Sequence, residues 1–375
     1  MVSDAALIGR DGRRYPLTEP RWRGEDGSPL LVSPLPGITR ADIDHAARSH
    51  WRYARALPLA LAPLTLGEGC TPLLEQKIAG VDLLIKPEWF NPTGSFKDRG
   101  TSVMISLLAH QRVPAILEDS SGNGGASVAA YAAAAGIAAK ILAPESTSGA
   151  KLLQSRMHGA ELELVPGPRQ ATADEAVRQS GERFYASHNW HPFFLQGTKL
   201  FAYEVWEQLG FTAPDAVLMP TGAGSLALGC SIGFNELLRA GEIDRLPRLL
   251  VVQPEHCSPL ARAFAGGQVA VVPADWQPTL AEGTSIARPV RDREVLEAVR
   301  ESGGTIVAVA EEAIAPAVRT LAAHGLYAEP TSAIVVAALP ELVARGEIAE
   351  GDTVVAALTG SGLKDATAMA GILDR

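Results

Sequence analysis

The sequence predicts an α/β protein of two domains, each a doubly wound parallel sheet, and three observations carry that expectation. Short apolar runs alternate with longer helical segments along most of the chain, which is the pattern of βαβ units, because a parallel connection needs a crossover of a dozen or more residues. The length of 375 residues points to about two domains at roughly 150 residues each. Gly at 36 and Pro at 26 occur without a period in a chain that is 47% hydrophobic and 20% charged. That composition excludes collagen, coiled coil and disorder, and implies many tight loops feeding regular elements.

The first 60 residues are the least regular, with turn clusters GEDGSP and PLPG around one expected helix near 40–56. The expected strands then run VDLLIK from Val81, PAILE from Pro114, AAKILA from Ala138, ELELV from Glu161, AVLMP from Ala216, RLLVVQ from Arg248, TIVAV from Thr305 and TVVAAL from Thr353. Helices fill most of the gaps. In open parallel sheets the strand-to-helix loops gather at the carboxyl ends of the strands, where ligands bind. A net charge of −9 argues against a nucleic-acid partner, which would demand a basic face. Cys70, Cys230 and Cys257 are too far apart for a metal site or a disulfide framework. The start has no apolar core after its charges and no run of about 20 apolar residues follows, so a cytoplasmic protein away from membranes is expected.

Four loops carry chemistry. In PEWFNPTGSFKDRG, Pro87 to Gly100, the turn formers end a strand and present Ser95, Phe96 and Lys97 at the start of a helix. A cation is disfavoured there by the macrodipole, which marks Lys97, while Asp98 and Arg99 read as ordinary surface residues. In LEDSSGNGGAS, from Leu117, a Ser- and Gly-rich loop opens an Ala-rich helix near Gly124 whose N–H groups suit a carboxylate. In LMPTGAGSLALG, from Leu218, Gly222 and Gly224 let backbone approach a phosphate. In AALTGSGLKD, from Ala356, Thr359 and Ser361 offer neutral hydroxyls. Taken singly, each also fits a plain cap, turn or solvated lysine.

Together they supply what a pyridoxal phosphate enzyme needs: a lysine for a Schiff base, a carboxylate loop, a phosphate loop and a hydroxyl partner. Over roughly residues 65 to 366 the chain resembles the fold type II (tryptophan synthase β-like) pyridoxal phosphate enzymes, and among them the threonine synthases. The marks are LGEGCTPL, NPTGSFKDRG, SSGNGGAS, GAGSL, EPTSA and LTGSGLKD. The resemblance implies that Lys97 carries the Schiff base and moves protons between substrate carbons. It implies that Asn123 bonds the cofactor's 3-hydroxyl and that Ser121, Gly124 and Gly125 receive the substrate carboxylate. Gly222, Ala223, Gly224, Ser225 and Leu226 would cradle the cofactor phosphate, and Thr359 would meet the pyridine nitrogen. Phe96, Glu329 and Ser361 take supporting roles.

The same resemblance implies a homodimer whose cofactor lies between a smaller domain, 100–195, and a larger one, 1–99 plus 196–375. It names O-phosphohomoserine as substrate and threonine and phosphate as products. One departure stands against that. Where many threonine synthases read like NPxRLEGQKT, this chain reads HPFFLQGTK, with Phe194 on the arginine. Lys151, Arg156, His188 and Lys199 are the candidates for the missing charge. Two phenylalanines there would also suit dehydration of threonine or serine, or β-replacement on an activated serine. A nucleotide-dependent oxidoreductase is a remote alternative, lacking the glycine fingerprint and its acidic partner. His188 and His191 have no further ligand at metal spacing, so surface or supporting positions and no metal are expected. Cys70 is expected to pack.

Overall fold

In the computed structural model, which describes residues 4–147 and 149–374, two larger sheets and one small one form. The six-stranded sheet runs Thr305–Val309, Arg248–Pro254, Ala216–Pro220, Val354–Leu358, Val81–Pro87 and Leu74–Ile78, parallel except at the last pair. The four-stranded sheet is parallel, in the order Glu161–Val165, Ala138–Pro144, Ala115–Glu118 and Phe184–Tyr185. Three two-residue antiparallel strands near the N-terminus make the third sheet. All eight expected strands are present. Leu74–Ile78 was not expected, because on an antiparallel edge it alternates exposed and covered residues around Glu75 and Lys77.

Ala216–Pro220 is central and buried at every position, as a strand covered on both faces must be. Its side chains alternate between two cores. Val217 and Met219 join Val251, Val355, Phe201 and Trp206 on one face, while Ala216 and Leu218 join Leu250, Ala356, Ile334 and Leu339 on the other.

Two expectations are corrected. The segment 40–56 forms two short 3-10 turns, Arg40–Asp42 and His50–Ala56, and not one helix. Its backbone is extended at Ile43 and leaves helical geometry again at Tyr53, and the Trp51 indole N–H is anchored outside the segment, on Glu68 and Ser102. Asp98 and Arg99 are fully buried, not surface residues. Arg99 donates from Nε to Glu88 at 2.6 Å and from Nη1 to Glu204 at 2.9 Å, and Lys86 donates to Glu204 at 2.5 Å. Asp98 accepts from the Thr93 and Ser127 hydroxyls, each at 2.6 Å. Arg99 and Lys86 face Glu88 and Glu204, so each charge in that set is paired. Burial opposes ionisation of Glu204, yet Arg99 and Lys86 hold its carboxyl well below the usual range.

No described helix is long and apolar enough to cross a membrane.

Arg99→Leu strands two carboxylates in the core and is expected to destabilise the protein by about 3–5 kcal/mol. Denaturant unfolding checks this, with Arg99→Lys falling between the leucine variant and wild type.

Candidate active site

The carboxyl edges of the two larger sheets bring the four loops together. Lys97 opens the helix Lys97–His110 directly after the turn that follows Val81–Pro87. The loop after Ala115–Glu118 leads into the helix Asn123–Ala135, and the loop after Ala216–Pro220 into Ser225–Arg239. Two adjoining cavities result. One, of about 560 Å³, is lined by Phe96, Lys97, Ser121, Asn123, Gly124, Glu329 and Thr359 among others. The other, of about 50 Å³, is lined by Gly222 to Leu226 and shares Phe96, Lys97 and Thr359 with the first. Lys97 therefore stands where a large compartment meets a small one.

Burial lowers the Lys97 amine to about 8, against the opposing pull of Glu118 and Glu329. A lysine brought that low has a substantial neutral fraction near neutral pH, which suits attack on an aldehyde. Its neighbour Phe96 lies 4.4 Å from Nζ at the ring centroid. The small cavity fits a phosphate. Gly224 has φ +93, and a side chain there would strike Val295; Gly222 would meet the Gly283 carbonyl at 3.1 Å. No acidic residue lies in the first turn of Ser225–Arg239 to repel an anion. The buried Thr221 hydroxyl on the same wall has no partner of its own among the described residues.

Across the large cavity, Asn123 Nδ2 donates to Glu329 at 3.0 Å and Thr359 donates to Glu329 at 3.2 Å. Ser332 and Thr359 share a bond at 3.1 Å. Glu329 thus ties the amide expected at the cofactor's hydroxyl to the hydroxyl expected at its ring nitrogen. Burial pushes its carboxyl above the ordinary range, against the pull of Asn123. Gly125 and Ser361 lie outside both linings. Gly125 packs on the Ser120 carbonyl, where a side chain would collide, and the Ser361 hydroxyl accepts from the Leu363 N–H at 3.2 Å.

The candidates for extra charge separate. Lys151 lines the large cavity, paired with Glu282 and with Asp365 at 3.0 Å. Lys199 does not: it is buried in the core on Glu236 at 2.8 Å. Arg156 is exposed and lines neither cavity. Phe193 and Phe194 are fully buried and touch neither cavity, so they do not form a substrate pocket. His188 and His191 are buried and not on the surface. Cys70 is exposed at φ 50, so it does not pack in the core. Arg169, Lys364 and the segment from Thr279 to Ile286 also line the large cavity. Arg169 had a signal, since it opens the helix after Glu161–Val165 at the same sheet edge. The 279–286 segment follows no strand and gave none.

Known proteins resemble this chain over most of its length. The family model described as "Pyridoxal-phosphate dependent enzyme" matches residues 64–360. A threonine synthase of Methanosarcina acetivorans is 37% identical over 325 residues, covering 84% of this chain and 80% of that one. One of Mycobacterium tuberculosis is 35% identical over 344 residues, covering 88% and 89%. Among solved structures, a T.th. threonine deaminase superposes with a TM-score of 0.66 at 28% identity, over 78% of this chain and 92% of that one. A fungal L-serine ammonia-lyase from Rhizomucor miehei reaches 0.71 at 21% identity, over 82% and 98%. The chain belongs to the pyridoxal phosphate-dependent enzymes and has their fold type II architecture. Within that family it is threonine synthase-like, a pyridoxal phosphate-dependent lyase of small amino acids. The oxidoreductase alternative falls with that membership.

Because a lowered amine loses its proton earlier as pH rises, cofactor uptake by the apoprotein should accelerate with pH and reach half its limit near pH 8. Stopped-flow absorbance follows this, and Lys97→Ala should show neither the uptake nor a visible band. Gly224→Ala puts a side chain into strained, filled space, and equilibrium dialysis should show cofactor held about 10- to 100-fold more weakly, from roughly 1–3 kcal/mol of strain.

Proposed function

We propose that the chain is a threonine synthase, converting O-phosphohomoserine and water to threonine and phosphate. The observation that carries this reading is the presence of Lys151 and Arg169 on the large cavity and not on the small one. A substrate with its own phosphate needs cations beyond the cofactor loop. The threonine synthases at 35–37% identity support the same choice.

In this reading the Gly222 to Leu226 loop holds the cofactor phosphate with backbone N–H groups. Asn123 and Thr359 orient the ring, with Phe96, Glu329 and Ser361 supporting them. Ser121 and Gly124 receive the substrate carboxylate at the start of Asn123–Ala135, and Gly125, outside the cavity lining, lets that helix start pack closely on the Ser120 carbonyl. Lys97 takes and returns protons at the substrate carbons. When bound, pyridoxal phosphate supplies the electron sink that makes those carbon acids accessible. A hydroxyl at the ring nitrogen leaves it largely unprotonated, which favours elimination and replacement over transamination. Lys151 and Arg169 take the substrate phosphate.

The same reading divides the chain into 100–195 and 1–99 plus 196–375, supported by the four-stranded sheet lying wholly within the first span. It also includes a homodimer, supported by the family resemblance alone, and the cytoplasmic location expected from the sequence.

Incubated with O-phosphohomoserine, the enzyme should release phosphate and form threonine in equal amounts. Formation of 2-oxobutyrate from threonine as the faster reaction would replace the proposal with a dehydratase. Lys151→Ala is expected to raise KM for O-phosphohomoserine about 10-fold or more, the loss of one charge-assisted contact of roughly 1.5–3 kcal/mol.

A further inference from the structure

We propose that His188, held by Glu118, is a second acid–base residue of this site and serves the oxygen at the substrate's β-carbon. This rests on the synthase reading above. The chain has eight histidines, and His188 is the one that lines the two cavities beside Lys97. Its partner Glu118 is fully buried and engages it twice. The ring Nδ1 lies 2.6 Å from Oε1, and the His188 backbone N–H donates to Oε2 at 3.2 Å. A carboxylate at Nδ1 places the proton there and leaves the Nε2 lone pair free.

The ring is also fixed from both sides. A side chain at Gly124 would come within 2.8 Å of Nδ1 and 2.9 Å of Cε1, so the imidazole rests on the opening residues of Asn123–Ala135. Phe194 backs it edge-on, with centroids 5.8 Å apart. Glu118 and His188 come together because Ala115–Glu118 and Phe184–Tyr185 are neighbouring parallel strands whose carboxyl ends lie side by side.

The chemistry asks for such a group. Water adds across the substrate's Cα–Cβ double bond, its oxygen bonding to Cβ while one O–H bond breaks. The π pair becomes the new C–H bond at Cα, made with the proton that Lys97 carries. Lys97 is a donor at that moment and cannot accept the proton that water loses. His188 Nε2 accepts it and passes it on to restore Lys97, so no net proton is consumed. Run in reverse, the same group returns a proton to the departing β-hydroxyl.

Threonine incubated with holoenzyme tests the assignment in oxygen-labelled water and in deuterium oxide. Mass spectrometry reads label at the β-hydroxyl, and NMR reads deuterium at Cα. In His188→Asn the ratio of oxygen to deuterium uptake should fall on the order of 10²- to 10⁴-fold. Glu118→Gln should lower the ratio in the same direction, which a role confined to folding would not do. An unchanged ratio in His188→Asn overturns the inference and leaves the synthase reading intact. Loss of both labels together also overturns it, since His188 would then serve the fold. A wild-type enzyme that releases no phosphate from O-phosphohomoserine and exchanges neither label overturns the reading and the inference with it.

Discussion

Lys97 stands where it does because Arg99, two residues further along the same helix, is locked in the core. The guanidinium reaches Glu88 just past Val81–Pro87 and Glu204 on Leu200–Gln208, and Lys86 closes the set from the strand itself. A strand of the larger sheet and one of its covering helices are thereby keyed to one position of the Lys97 helix. Four buried charges add little net stability relative to apolar residues of the same volume. What a fully paired set does add is register, because a slip of the helix would leave a carboxylate unpaired in the core. Asp98, pinned by Thr93 and Ser127, fixes the rotation of that helix against Asn123–Ala135. The lysine is aimed by its two buried neighbours.

That constraint also explains Phe194. Its ring lies under Gly100, where a side chain would come within 2.6 Å of it, so the helix that bears Lys97 rests directly on the aromatic face. A side chain so placed is part of the support beneath the site. In the proposed reading the charge expected at that position comes from other elements, as Lys151 and Arg169, which line the large cavity.

Much of the fold was legible because its central strands are unbroken apolar runs, AVLMP and RLLVVQ among them, and parallel strands covered on both faces read that way. The four loops were legible because Gly and Ser follow those runs directly. What stayed hidden depended on distant partners. Asp98 and Arg99 looked like surface charges because one of Arg99's two carboxylates, Glu204, lies 105 residues away in sequence. His188 carried no metal signal, and its pairing with Glu118 spans 70 residues and two strands. The segment from Thr279 to Ile286 enters the cavity wall without a preceding strand to mark it. The helix expected over 40–56 is broken at Ile43 and Tyr53, and the partners that anchor its Trp51 indole, Glu68 and Ser102, lie outside the segment.

A chain of net charge −9 must gather two phosphates, and in the proposed reading it does so by two different means. The small cavity presents backbone N–H groups at a helix start, fixed dipoles that need no counterion and suit a resident group. The large cavity presents side-chain cations that already have partners: Lys151 on Glu282 and Asp365, and Arg169 on Asp119 at 2.7 Å. Glu282 is 56% exposed, and a pair with so wet a partner is worth little. In that reading an arriving dianion can displace Glu282 from Lys151 at little cost. Net acidity is then no obstacle. In the proposed reading Glu282 is the resting partner of a cation that the substrate borrows.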